Sequence, residues 1–365
     1  MLERAVPALR GLCAYDPGHD LPRLRAAGAP GALVELGSNE NAWGPSPRAL
    51  KALADADPSE LWRYPDPRGW ALRERLAELH GVAVEEIVLG NGSHELLMQL
   101  AQIFCAPGAE LLHAEYGFAV YPIAARAVGA EPIAAPAQPL DAAMPRGLDL
   151  AAMAARVGPS TALLCIANPN NPTGTWVGVD ALAEFLAGLP ATLPVAIDEA
   201  YLEFADAKDL GSALSLRARF PNLIVFRTFS KAYGLAGLRI GYAIAEREVI
   251  GLFDRLRESF NVNALAQRLA LAALDDPEHL AQVVTNTRRE REWLRAELSQ
   301  RGFVVAPSQG NFLLIDCGER AASIEARLLE RAVVVRPMRA YALPQCLRVT
   351  VATRAENLRL LEALA

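Results

Sequence analysis

The sequence predicts an α/β fold: a mostly parallel sheet with helices on both faces, joined to a smaller α+β domain. Between about residues 85 and 245 of the 365, short apolar runs alternate with helical patterns, and turn residues flank each run. Runs this short read as strands buried within a parallel sheet. After about residue 262 the texture changes to a long Arg- and Glu-rich helical pattern followed by short strands. The expected division is an N-terminal segment over 1–40 that packs with the small domain, a large domain over 41–262 and a small domain over 263–365.

Residues 87–89 form the first expected strand and lead into a helix over 93–104. Residues 110–113 precede another helix, and 162–166, 195–197 and 223–226 are further strands. Pro132, Pro136, Pro139 and Pro145 read as a loop between sheet elements. In the smaller domain a helix over 283–301 stops at Gly302. Strands are expected at 303–306, 312–317, 333–336 and 347–351, with a helix near 324–331 and another at the C-terminus.

Composition narrows the function classes. With 52% hydrophobic and 21% charged residues the chain is globular rather than disordered. A net charge of −6 provides no basic field for nucleic acid or anionic membrane. No apolar run reaches the roughly 18 residues of a membrane span, and Glu3, Arg4, Arg10 and Asp16 interrupt any secretory leader of the usual form. Cys13, Cys105, Cys165, Cys317 and Cys346 form no C-x-x-C pair, so reduced thiols in a cytoplasmic protein are expected, without a metal site. Of 36 basic residues only Lys51, Lys208 and Lys231 are lysines. Under such a bias towards arginine, a retained lysine is a candidate for chemistry that needs a primary amine.

Lys231 lies in Thr228-Phe229-Ser230-Lys231-Ala232-Tyr233-Gly234-Leu235-Ala236-Gly237-Leu238-Arg239, just after an expected strand. A lone lysine there would be an ordinary loop residue. Ser230 and Arg239 add the hydroxyl and guanidinium that a phosphate needs beside the amine. An amine next to a bound phosphate suggests a lysine that bonds covalently to pyridoxal 5′-phosphate. That cofactor needs a carboxylate at its pyridine nitrogen, and Asp198 ends the strand in Ile197-Asp198-Glu199-Ala200-Tyr201. By itself such an Asp would be a cap or turn residue. Tyr201 and Asn171, the latter in Asn168-Pro169-Asn170-Asn171-Pro172-Thr173-Gly174, can reach the phenolic oxygen from two sides. Gly90-Asn91-Gly92-Ser93-His94-Glu95 follows a strand and opens a helix, where backbone N–H groups bind phosphate. It lacks the third glycine of a dinucleotide fingerprint.

These four segments, in this order, resemble the class I and II aminotransferases of fold type I, and within them the histidinol-phosphate aminotransferase family. Supporting matches are Ser38-Asn39-Glu40-Asn41, Gly44-Pro45-Ser46-Pro47, Arg63-Tyr64-Pro65 and Leu347-Arg348-Val349, and the resemblance runs from about Tyr15 to the C-terminus. It implies an aspartate-aminotransferase-like fold, pyridoxal 5′-phosphate as cofactor, and transamination between histidinol phosphate and 2-oxoglutarate in histidine biosynthesis. An aromatic amino acid aminotransferase on the same scaffold is the alternative. By the same resemblance Lys231 is the imine-forming lysine and proton shuttle, with Asp198 at the pyridine nitrogen and Asn171 and Tyr201 at the phenolic oxygen. Phe118 stacks on the ring, and Gly92, Ser93, Ser230 and Arg239 form the phosphate cup. Tyr64 reaches the cofactor phosphate of the neighbouring subunit in a homodimer. Arg348 and Arg336 bind the substrate anion, with Tyr15 nearby. The sequence departs from the family pattern at His94, where Asp is commoner, and at Ala42-Trp43, where Pro-aromatic is usual.

Overall fold

The computed structural model describes residues 2–27 and 33–365. Twelve strands are present among them. In chain order these are β1 (Val34–Leu36), β2 (Ile87–Gly90), β3 (Glu110–Ala114), β4 (Glu131–Ala135), β5 (Thr161–Ala167) and β6 (Val195–Asp198). They continue with β7 (Leu223–Thr228), β8 (Gly241–Ile244), β9 (Val304–Val305), β10 (Phe312–Asp316), β11 (Val333–Pro337) and β12 (Cys346–Thr350). The larger sheet has the order β2-β8-β7-β6-β5-β3-β4. The pairings from β7 through β4 are parallel, and β8 runs antiparallel to both of its neighbours.

Alternation along the strands explains the unbroken apolar runs. In β7, Ile224 and Phe226 pack into a cluster with Leu96, Leu100, Tyr121 and Phe253 on one side of the sheet. Leu223 and Val225 pack into another with Leu164, Ile197, Leu182 and Phe185. Both faces are covered, so both residue parities must be apolar. A one-residue slip would exchange the two sets, and the helix packing on each face therefore fixes the register.

The second sheet has the order β1-β11-β12-β10-β9 and is antiparallel apart from β1 against β11. Its own apolar cluster includes Leu36, Leu313, Val335, Val349 and Leu360. The long helix in this region covers Pro277–Gln300, where Asp276 caps the N-terminus by accepting from the His279 N–H. It therefore begins a turn and a half before the expected start at residue 283. Pro132 was expected in a loop but lies inside β4. That strand is the edge of the large sheet, the place where a strand tolerates proline. Strands β1 and β8, three and four residues long, are further elements outside the expected set, and β8 follows directly on the glycine-rich lysine segment.

A buried ionic network ties β7 to the end of β6. Arg227 donates to Glu199 at 2.8 Å, to Glu203 at 3.1 Å and to the Ser212 hydroxyl at 3.1 Å. Glu199 also accepts from the Ala213 N–H at 2.6 Å and from the Ser212 hydroxyl at 2.9 Å. Arg227→Met would leave two carboxylates without their buried cation, and the expected loss is about 3–5 kcal/mol of stability. A urea titration of parent and variant measures it. A midpoint shift close to zero would show that the network is dispensable.

Candidate active site

The parallel strands β3, β5, β6 and β7 all end at one edge of the large sheet, together with β2, and the chemistry-bearing residues follow those ends. At that edge a cavity of about 230 Å³ is lined by Tyr15, Ser93, Phe118, Asn171, Asp198, Tyr201, Ser230, Lys231, Arg239 and Arg348. Residues from nearly opposite ends of the chain thus share one wall. Ser38, Asn39 and His94 complete much of the rest.

Lys231 emerges from the tight turn after β7. The Ser230 N–H donates to the Thr228 hydroxyl, and the Gly234 N–H donates to the Lys231 carbonyl, which fixes the turn. Lys231 Nζ donates to the carbonyls of Ser38 and Asn39, at 3.2 Å each. Burial, reinforced by the Arg348 charge, pulls its pKa down from 10.5 to about 7. The other two lysines are exposed, and Lys51 pairs with Asp55, the C-cap residue of its own helix.

Asp198, the last residue of β6, is 5% exposed. Strand alternation turns it into the cavity while Glu199 turns away to Arg227. Its carboxylate accepts from the Ala200 N–H at 3.1 Å and from the Tyr121 hydroxyl at 3.4 Å. Burial pushes its pKa up to about 6 against those two donors. A carboxylate held this way calls for a cation opposite it. Tyr201 is buried with its hydroxyl accepting from Asn39 Nδ2 at 3.0 Å, and burial raises its pKa.

The asparagine-rich turn after β5 divides its work. Asn168 exchanges hydrogen bonds with Val177, and Asn170 donates to the Tyr116 carbonyl and the Thr173 hydroxyl. Asn171 alone faces the cavity, where its Oδ1 accepts from Arg348 at 2.6 Å. The second arm of Arg348 donates to the Gly37 carbonyl at 2.7 Å, and its Nε is buried without a partner.

Gly92, Ser93, Ser230 and Arg239 come together as a cup at the start of the helix Ser93–Phe104. Gly92 has φ +80°, and a Cβ there would lie 2.5 Å from an Arg239 guanidinium nitrogen. A Cβ on Gly241, at the start of β8, would lie 2.6 Å from the Ser93 backbone nitrogen. The two glycines let backbone and guanidinium close on one small volume, where the helix start and Arg239 both favour an anion.

Arg336 and Tyr64 do not line this cavity, and Tyr64 was expected at the neighbouring subunit's site rather than at this one. Arg336 is buried behind Tyr15, its guanidinium 5.9 Å from that ring's centroid, and it donates to the Asp16 carbonyl. Tyr64 is 81% exposed and stacks on Phe260 with centroids 4.4 Å apart. Conversely, Asn39 and Tyr121 support the site although sequence reasoning gave them no part in it. Tyr121 falls three residues after Phe118, and Asn39 lies within the Ser38–Asn41 match.

The family model for "Aminotransferase class I and II" matches residues 32–364. Histidinol-phosphate aminotransferase 2 of Pseudomonas fluorescens is 44% identical over 366 residues, covering 100% of this chain and 97% of the relative. The protein of the same name from Pseudomonas aeruginosa is 45% identical over 369 residues, with the same coverage. Among solved structures, histidinol-phosphate aminotransferase from Sinorhizobium meliloti in complex with pyridoxal-5′-phosphate matches with a TM-score of 0.87. It is 31% identical and covers 99% of this chain and 96% of that one. Aspartate aminotransferase from Thermus thermophilus with maleate, at 24% identity, shares the fold with a TM-score of 0.86 over 99% and 98% of the two chains. Similarity of this extent along the whole length makes the chain a member of the class I and II aminotransferases, in the histidinol-phosphate aminotransferase family.

Proposed function

We infer that the chain is a pyridoxal-phosphate-dependent aminotransferase that moves the amino group of histidinol phosphate to 2-oxoglutarate. The observation that carries this reading is a lysine brought to about pKa 7 in the cavity that also holds an anion cup and a buried carboxylate. The residues fit the cofactor. The cup of Gly92, Ser93, Ser230 and Arg239 suits a phosphate, Asp198 suits a protonated pyridine nitrogen, and Phe118 offers a ring face. Tyr201 and Asn171 suit the phenolic oxygen.

When bound, pyridoxal phosphate supplies the electron sink that takes up charge as a proton leaves the substrate Cα. Lys231 Nζ takes that proton. An amine with its pKa near 7 is about half free base at neutral pH, matched to proton transfer in both directions. Asp198, held by Tyr121 and Ala200, keeps a fixed negative charge where positive charge must persist. Arg348 offers a planar fork to the anionic group of either substrate, in exchange for its present bonds to Asn171 and Gly37.

A homodimer with shared sites is part of the reading. Leu61, Trp62 and Tyr64 are each at least 73% exposed within one short stretch, and Tyr64 is poised on Phe260. The five cysteines are free thiols, which suits the cytoplasm.

The direct test is a substrate panel. The purified enzyme should turn over histidinol phosphate well ahead of phenylalanine and tyrosine; a preference for either amino acid would replace the substrate. Lys231→Ala should retain cofactor yet lose turnover by several orders of magnitude. Borohydride should fix the cofactor of the parent enzyme on Lys231, and label on Lys51 or Lys208 would refute the assignment.

Asp198→Asn separates stability from catalysis. The folded protein binds the Asp198 proton more tightly than the unfolded chain, at about pKa 6 against 3.8. The associated stability is present below pH about 4 and lost as pH rises through 6. Cofactor-free Asp198→Asn should therefore gain up to about 3 kcal/mol over the parent at pH 8 and almost nothing at pH 4. The same variant, loaded with cofactor, should lose most of its activity. Urea titrations at the two pH values and a rate assay check both halves.

Tyr64→Ala and Lys231→Ala, each nearly inactive, test the shared site. Random subunit exchange makes about half the dimers mixed, each with one intact site, so roughly a quarter of parental activity should return. Exchange verified by mass without that gain would show that Tyr64 does not act across the interface.

A further inference from the structure

The chain has five histidines. Four are hydrogen-bonded to other groups: His19 to Glu325, His80 to the Tyr242 hydroxyl, His113 to the Ala114 carbonyl and His279 to the Gly44 carbonyl. His94 has no hydrogen-bond partner among the described residues, and it is the one that lines the active-site cavity. It occupies the second position of the helix Ser93–Phe104, one residue beyond the cup. Its ring meets Tyr15 edge to face, with centroids 6.1 Å apart and planes at 79°. Tyr15 in turn meets Phe118 at 6.5 Å and 72°. Three rings thus form one wall, and its only azole has its ring nitrogens free of protein partners.

We propose that His94 is a specificity-determining residue that exchanges a hydrogen bond with the side-chain ring of the amino substrate, so that the cavity selects an imidazole over a phenyl or phenol ring. This rests on the histidinol-phosphate reading. A neutral imidazole carries one N–H donor and one bare acceptor nitrogen, the same pair that a substrate imidazole presents. Burial and the Arg239 guanidinium both lower the His94 pKa, which keeps the ring neutral at pH 7. Phe118 is the ring that suits the cofactor, and Tyr15 brings to the wall a single hydroxyl, donor and acceptor on one atom. Among the three rings only His94 presents a donor and an acceptor on two separate nitrogens, the pair that a substrate imidazole answers, so discrimination on that wall falls to it. A site built to hydrogen-bond its substrate rejects a ring that cannot answer, because the wall's polar atoms then stay unpaired.

His94→Phe and His94→Gln holoenzymes test this, after cofactor content and thermal midpoint are shown to match the parent. Steady-state constants are measured for histidinol phosphate, phenylalanine and the glutamate half-reaction. Binding of an amine-free analogue of histidinol phosphate is measured by calorimetry. The Phe variant keeps a flat ring and loses the nitrogens. It should raise the KM for histidinol phosphate and the Kd of the analogue by about tenfold or more. Its kcat/KM for phenylalanine should be unchanged or higher, and the glutamate half-reaction should stay within about twofold. The Gln variant, which retains a donor and an acceptor, should recover much of the loss. A parallel fall for all three substrates would place His94 in the common machinery and overturn the proposal, as would an unchanged KM and Kd in the Phe variant. If the parent enzyme fails to turn over histidinol phosphate, the substrate reading falls, and the His94 proposal with it.

Discussion

The fold turns on a desolvation constraint. A lysine amine and an aspartate carboxylate are held in one cavity whose surroundings disfavour the charged form of each. Neither would stay there unless the backbone around it were rigid enough to prevent escape to water. The parallel strands supply that rigidity. Asp198 ends a strand paired on both sides, to Ala167 in β5 and to Phe226 in β7. Lys231 follows a strand whose residues are all buried. Since both faces of the sheet are filled, neither strand can twist its terminal side chain outward without opening a core.

The site is also closed by pieces from outside the sheet. The carbonyls of Ser38 and Asn39 accept from the Lys231 amine, and Asn311, next to the small-sheet strand β10, holds the Asn39 and Glu40 carbonyls. Thr350, at the end of β12, accepts from the Asn39 N–H. Arg348 on the same strand reaches Asn171, in the turn that follows β5 of the large sheet. Ligand chemistry at Lys231 is therefore coupled by direct hydrogen bonds to the smaller sheet. Any anion that draws Arg348 from Asn171 changes a contact between the two sheets.

Sequence reading recovered what periodicity and local chemistry encode. The helix Ser93–Phe104 was legible to the residue, and the strands around β5, β6 and β7 nearly so, because short apolar runs between turn residues have few other readings. It missed β8, whose four residues follow the glycine-rich lysine segment, and β4, where Pro132 argued for a loop. Edge position is a property of the assembled sheet, so no local signal could have rescued that proline. At the site, the motifs located the groups that converge on the cavity. They could not show that Arg336 faces the Asp16 carbonyl, since that depends on how the N-terminal segment crosses the small sheet. Nor could they assign Tyr121, whose bond to Asp198 spans 77 residues.

The near-absence of lysine sharpens the division of labour at the site. Arginine does the chain's other cationic work, including buried roles such as Arg227 and Arg291, because a guanidinium stays charged and satisfies several acceptors in one plane. That same persistence disqualifies it at position 231. A guanidinium there could not give up its proton near neutral pH, and its planar fork would add a third fixed charge beside Arg348 and Arg239. A primary amine can respond to burial by becoming neutral, and burial together with the neighbouring guanidinium groups drives it that way. The arginines around Lys231 thus do more than bind anions. Their charge helps to keep the one buried amine in its reactive form.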